Sequence, residues 1–172
     1  TFKCLGGYDF VDGDSDPVVA PDSTEIHGTE VASIAVGKGV SQVIGVAYNA
    51  DFYAVRVLQG PNPPTGWISD IIAGIEWAST EPHKADIISM SIQAYDTYLP
   101  LLIAFENACN AAYNEGIVLV AGSGNYAYSY SAHPADFENV ISVGAHEEAQ
   151  TIASFSNGGV DVVAPGKRVP TV

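Results

Sequence analysis

Apolar residues follow two alternating rhythms along the chain. Short β-rich runs recur at "FYAVRVL" (52–58), "ADIISMSI" (85–92), "IVLVA" (117–121), "VISVGA" (140–145) and "VDVVA" (160–164). Each is short, rich in β-branched residues or bounded by turn signals, the mark of a buried strand. Between two of them Ile68, Ile71, Ile72 and Ile75 fall at i, i+3, i+4, i+7 and predict an amphipathic helix. Leu101, Phe105, Ala108 and Ala112 predict another, with Gly116 placed to end it. "EIHGTEVASIAVGKG" (25–39) reads as a buried helix headed by a histidine. Strands apolar on both faces and separated by helices predict an α/β fold with a parallel sheet covered on two sides. Ligands in such sheets sit beyond the carboxyl ends of the strands, so the loops that follow strands are where chemistry is sought.

Composition narrows the choice of partners. At 172 residues the length predicts one domain, 1–172, with no internal repeat or linker, and 47% hydrophobic against 15% charged residues marks a globular chain. Twenty acidic residues against six basic ones give a net charge of −14, which repels phosphate backbones and anionic lipid. Neither nucleic acid nor membrane is expected as a partner. No apolar run reaches the roughly 18–20 residues that span a bilayer, and residues 1–15 lack the pattern of a signal peptide. The start at Thr1 rather than Met points to a processed or excised piece. Cys4 and Cys109 could pair or stay free, and no Cys/His spacing of a metal site is present.

Two loops carry candidate chemistry. "IVLVAGSGNYA" places Gly122, Gly124 and Ala127 after a strand, a formal G-x-G-x-x-A match that would bind a nucleotide if a helix began there. "YAYSYSAHP" follows instead, with no helical stripe, and argues against that use. Asn125 in the same loop can serve as a turn residue or, at a strand end, can donate its amide to an oxyanion formed in acyl transfer. His27, at a helix start, meets the positive end of the dipole, where a neutral, proton-accepting imidazole is the better guest.

Several segments recur together in one order: "HGTEVAS" (27–33), "IGVAYNADFYAVRVL" (44–58), "GIEWA" (74–78), "IISMSI" (87–92), "LVAGSGN" (119–125) and "DVVAPG" (161–166). That order and spacing resemble the subtilisin-like serine proteases, and "GGYDFVDGDSDP" (6–17) is most similar to the thermitase-type branch. The resemblance implies a three-layer α/β/α fold and a serine endopeptidase that hydrolyses peptide bonds by Ser/His/Asp acyl transfer. By position, His27 matches the general base and Asn125 the side-chain donor of the oxyanion hole. Ser91, Ile92 and Gln93 match the strand that pairs with the substrate beside the primary specificity pocket, and Thr65, Gly66 and Trp67 match the opposite wall. A peptide or protein substrate would be held by adding a strand on each side. An extracellular or exported location is implied as well.

The same resemblance implies two absences. The catalytic aspartate of the family lies on a strand upstream of "GGYDFV", and its nucleophile lies in a Gly-Thr-Ser block beyond "DVVAPG", so this chain is expected to lack the Asp-bearing first strand and the Ser-bearing C-terminal part. Losing the nucleophile costs about 10⁶ in kcat and losing the aspartate about 10⁴, values that belong to subtilisin and the related type cases. The chain alone is therefore expected to be inactive, completed by missing catalytic-domain segments or a complementing chain. Asp9 and its neighbours match family positions in a surface loop, and Ser123 matches a structural position, so neither is expected to substitute. Ile26 before the histidine, Glu30 for a second histidine, and Gln93–Ala94 for a Gly-Gly pair depart from the pattern. Asp12, Asp14 and Asp16 are spaced like the start of a calcium loop, or equally like an Asp/Gly-rich turn, and no organic cofactor is implied. The alternative functions are a non-catalytic peptide-binding relative and, less favoured, a nucleotide-binding α/β domain.

Overall fold

The computed structural model describes residues 4–19, 24–39, 43–61, 63–95 and 98–171. The chain runs β1 (Cys4–Asp9), α1 (His27–Val36), β2 (Phe52–Arg56), α2 (Ile68–Ala78), β3 (Ile87–Met90), α3 (Leu99–Asn114), β4 (Val118–Gly122), β5 (Ile141–His146) and β6 (Val162–Pro165). Backbone contacts gather it into two compact units, Thr1–Gly74 with Pro170–Val172, and Ile75–Val169.

In the first unit β1 pairs parallel with β2, with a register shift between Cys4 and Gly7. β1 is a strand that hydrophobic periodicity does not announce. Its Gly6–Gly7 pair interrupts the alternation, yet Gly7 is required there, because a Cβ would lie 1.9 Å from the Ala54 carbonyl oxygen. Gly74 of α2 meets Val55 and Val57 in the same way, so the helix sits close to β2 and its adjoining residue. Its isoleucine stripe behaves as the spacing predicts, with Ile71 and Ile75 buried.

The second unit holds a four-stranded sheet in the order β3-β4-β5-β6, parallel throughout. α3 buries Phe105, Ala108, Cys109 and Ala112, and Phe105 meets the Phe137 ring edge-on at 5.3 Å. The helix stops at Gly116, whose φ of +84° suits glycine and reverses the chain into β4. One face of this sheet is covered, with Leu119, Ala121 and Ser142 buried. The other is not. Ile87, Val118, Ile141 and Val162 share it by register and are 61%, 44%, 39% and 51% exposed. That face of the sheet is thus partly open among the described residues. The strands carry the apolar residues for a second layer that those residues do not supply.

No described helix is long and apolar enough to cross a membrane. Cys4 and Cys109 are unpaired, the first exposed and the second buried, which resolves the choice that their spacing left open.

Candidate active site

In the first unit His27 is the first residue of α1, half-buried, after an Ile26 N-cap that makes no side-chain capping bond. The segment leading into it is anchored by Glu25. One carboxylate oxygen of Glu25 accepts from the Gly60 amide (2.7 Å) and the other from Arg56 Nη2 (2.8 Å). The Gly60 amide chiefly holds the Glu25 carboxyl below its usual range, against burial and with help from Arg56. Glu30, in the first turn of α1, accepts from the Thr171 hydroxyl at 3.3 Å, a structural use.

Arg56 is the hub of a network that periodicity misses. Its guanidinium pairs with Asp9, with Asp12 (2.7 Å) and with Glu25 (2.8 Å). Burial would ease the proton off, but the three carboxylates more than offset it and hold the side chain charged. Asp9 is 2% exposed and ends β1. It does not lie in the surface loop that the resemblance implies, because β1 extends to it and Arg56 covers it. Burial pushes the Asp9 carboxyl up, yet the Asp12 and Val11 amides and the Arg56 cation outweigh that and keep it below the usual range. A cation inside "FYAVRVL" is the legible signal, since a charge within an apolar strand must find buried partners.

The three candidate calcium ligands lie beside this network and are engaged locally. Asp12 faces Arg56, Asp14 Oδ1 accepts from the Asp16 amide (2.8 Å), and Asp16 Oδ1 accepts from the Val18 amide (3.2 Å). These are the bonds of Asx turns. Among the described residues no group of three or more His, Cys, Asp or Glu is disposed to hold a metal ion. With a guanidinium already neutralising that concavity, the arrangement as it stands does not fit a calcium cage. Further along the same unit, Thr65 pairs with Gln59 through two backbone bonds (2.7 and 2.9 Å), and Gly66 and Trp67 follow, exposed, just before α2.

In the second unit Ser91, Ile92 and Gln93 leave the carboxyl end of β3, and Ser123, Gly124 and Asn125 leave that of the adjacent β4. The Asn125 amide donates to Gln93 Oε1 at 3.0 Å, which brings these two site residues together. Asn125 itself is exposed. Ser123 is buried, its hydroxyl turned to the Asn157 carbonyl at 3.3 Å, and is structural. No helix follows Gly122 before β5, so the dinucleotide fingerprint lacks the helix N-terminus it needs.

Asn157 organises this loop and carries no signal in the sequence beyond an Asn-Gly turn. Its amide donates to Tyr95 Oη (2.8 Å) and the Ser123 carbonyl (3.0 Å), and its oxygen accepts from the Tyr126 and Tyr128 amides (3.0 and 3.1 Å). Gly124, at φ +109°, must be glycine, since a Cβ would come within 2.5 Å of both Asn157 Nδ2 and Tyr95 Oη. Tyr126, Tyr128 and Tyr130 stack along the exposed side, with Tyr95 edge-on to the first two.

Parallel strands joined through helices, with polar loops at their carboxyl ends, define an α/β protein of the kind that binds or transforms ligands at the sheet end. The chain belongs to the subtilase family, whose profile (Peptidase S8) it matches over residues 6–171. It is 40% identical over 168 residues to the thermophilic serine proteinase of Bacillus sp. (strain AK1), covering 95% of this chain and 39% of that protein. It is 37% identical to subtilisin DY of Bacillus licheniformis, covering 97% and 59%, and 34% identical to thermitase of Thermoactinomyces vulgaris, covering 95% and 56%. A solved structure described as a cold adapted subtilisin-like serine proteinase superposes with a TM-score of 0.78 at 29% identity, over 96% of this chain and 56% of the other. The fold is the mostly parallel, three-layer α/β/α fold of that family. The chain spans 39% to 59% of the length of these curated relatives.

Proposed function

We propose that the chain is the core of a subtilisin-like serine endopeptidase. The observation that carries this reading is Asn125, on the loop after β4, hydrogen-bonded through its backbone to Gln93 on the segment after the neighbouring β3. In the complete enzyme His27 takes the proton from the nucleophilic serine hydroxyl as its oxygen attacks the scissile carbonyl carbon. Asn125 Nδ2 donates to the oxyanion that forms, and His27 returns the proton to the leaving amine. Water then hydrolyses the acyl-enzyme by the same proton path. Ser91–Gln93 and Thr65–Trp67, exposed but for a half-buried Ile92, are the segments on which a peptide substrate adds as a strand.

His27 and Asn125 alone do not hydrolyse peptides, so the chain by itself is inactive. The aspartate and serine come from missing catalytic-domain segments or a complementing chain. The open apolar face of the β3–β6 sheet supports a further layer of protein over it. The enzyme works outside the cell, as an exported protease does. Calcium has one argument in favour, the spacing of Asp12, Asp14 and Asp16, and one against, the Arg56 cation paired with Asp12. No nucleic acid and no membrane take part, in line with the charge of −14.

The alternative is a non-catalytic peptide-binding relative, favoured by the Gln93–Ala94 departure at the cleft wall. A fluorophosphonate probe separates the two. It labels a serine of the parent protein if the protease reading holds, and leaves it unlabelled in a binding relative. Labelling of the isolated 172-residue chain would overturn its inactivity.

A further inference from the structure

We propose that the stacked tyrosines after Asn125 are a site of oxidative cross-linking, at which hydrogen peroxide, acting through a haem peroxidase, joins Tyr128 to Tyr130 as dityrosine. The proposal stands apart from the peptide site and from the protease reading.

Tyr126, Tyr128 and Tyr130 are alternate residues of one loop, and all three are exposed. The Tyr128 and Tyr130 ring centroids lie 5.3 Å apart with 22° between the ring planes, and those of Tyr126 and Tyr128 lie 5.7 Å apart at 25°. Near-parallel rings at such spacing are offset-stacked neighbours. Rotation about side-chain bonds can bring their edges together while the backbone stays in place. Tyr95 is oriented differently. It stands edge-on to Tyr126 and Tyr128, at 72° and 84°, and its hydroxyl accepts from Asn157 at 2.8 Å.

The backbone that carries the stack is pinned. The Tyr126 and Tyr128 amides donate to Asn157 Oδ1 at 3.0 and 3.1 Å, and the Tyr128 carbonyl accepts from the Gly158 amide at 2.8 Å. Just beyond Tyr130, the Ser131 hydroxyl bonds the Gly158 and Gly159 carbonyls at 3.0 and 2.9 Å. Rings held on one fixed backbone meet at an effective concentration far above that of separate molecules. Two competing sulfurs are withdrawn, since the chain's one methionine, Met90, and Cys109 are both buried.

In the reaction each phenol gives up one electron and its hydroxyl proton and becomes a phenoxyl radical, with spin on the ring carbons beside the oxygen. The two radicals pair to form one Cε–Cε bond, and each ring returns the hydrogen of that carbon to its own oxygen. The two electrons and two protons removed reduce one hydrogen peroxide to two waters. Tyr126 competes for Tyr128 at the longer spacing, so Tyr128 belongs to every product of the stack.

The test treats the dilute 172-residue chain with a haem peroxidase and hydrogen peroxide, after alkylation of the exposed Cys4 thiol. Cleavage after glutamate releases residues 116–138 as one peptide, whose only tyrosines are Tyr126, Tyr128 and Tyr130. Dityrosine fluorescence is expected in the monomer. That peptide should lose two hydrogen atoms, gain no partner, and resist fragmentation between Tyr128 and Tyr130. Tyr128→Phe should lower the monomer yield at least about tenfold, because it removes the held partner from both pairs. Tyr130→Phe should move the link to Tyr126 and Tyr128, while Tyr48→Phe and Tyr113→Phe leave the yield unchanged. Each variant is compared at native circular dichroism. An absence of dityrosine overturns the proposal, as does fluorescence confined to cross-linked dimers. A bond that joins two different peptides, or a full yield in Tyr128→Phe, overturns it equally.

Discussion

Replacing Asn157 by alanine should cost far more than its place in a loop suggests. The side chain is 1% exposed and makes four hydrogen bonds, to Tyr95 Oη, the Ser123 carbonyl and the Tyr126 and Tyr128 amides. A typical bond contributes about 1 kcal/mol net, and a group orphaned in the interior costs about 1–3 kcal/mol. Four bonds set a scale of about 4 kcal/mol; water entering the vacated space recovers part of it, giving an expected loss of about 2–4 kcal/mol. Urea unfolding followed by intrinsic fluorescence should show a lower midpoint with an unchanged slope. The Tyr95 bond is isolated by a double-mutant cycle, in which Tyr95→Phe costs about 1 kcal/mol alone and about nothing beside Asn157→Ala. A loss for Asn157→Ala below about 0.5 kcal/mol would show that the loop holds itself, in the range of ordinary surface substitutions. Equal cost of Tyr95→Phe in both backgrounds would remove the staple from the account.

Arg56→Met should destabilise by about 3–5 kcal/mol near neutral pH, because it strands the buried Asp9 carboxylate. Asp9 and Glu25 are both held below the usual carboxylate range, so the stability they contribute is complete above about pH 4 and is lost as pH falls through their depressed values. The gap between Arg56→Met and the unsubstituted chain should therefore narrow toward pH 3 in pH-dependent urea melts, and a constant gap would refute the pairing. A thiol titration with an aromatic disulfide should find Cys4 reactive in the native chain and Cys109 silent until denaturant is added. Burial, with Glu106 adding to it, pushes the Cys109 thiol up to about 12; rapid native labelling of Cys109 would contradict its packing. Millimolar calcium should leave the melting temperature unchanged if Arg56 serves as the cation among Asp9, Asp12 and Glu25, and a rise abolished by Asp12→Ala would restore the calcium site. The isolated chain should unfold with low cooperativity, since the β3–β6 sheet has an open apolar face, and a steep, highly stable monomeric transition would argue that no further layer is needed.

What was legible in the sequence is what repeats along it. The isoleucine stripe of α2, the Phe105–Ala112 face of α3 and the apolar runs of β2 to β6 each sum many weak signals of one period, and the structure returns them within two or three residues. β1 was not legible because two glycines break its alternation, and the reason they are there, the approach of Ala54, is a tertiary fact. The site divides in the same way. Asn125 could be proposed because a strand followed by a glycine-rich turn is a local pattern. Asn157 could not, because its role is defined by Tyr95, Ser123, Tyr126 and Tyr128, residues between 29 and 62 positions away.

Arg56 shows that such long-range features still leave a trace. A cation in the middle of an apolar run is costly unless carboxylates meet it, and Asp9 at the end of β1 and Asp12 just beyond it supply two of them. Part of the chain's acidic excess is thus spoken for: Asp9, Asp12 and Glu25 surround one guanidinium, a partly buried ion cluster that also anchors the entry to α1 two residues before His27. Of the carboxylates that suggest a metal loop by spacing, Asp12 is thus accounted for as a counter-ion, and Asp14 and Asp16 as acceptors for local backbone amides. The proposed general base, His27, depends on that arrangement as well as on the helix it heads, because breaking the cluster removes one of the two anchors of Glu25, two residues before it. Arg56→Met in the parent protein should for this reason lower kcat/KM on peptide substrates even at temperatures where the fold is intact, and retention of full activity there would separate the cluster from the base.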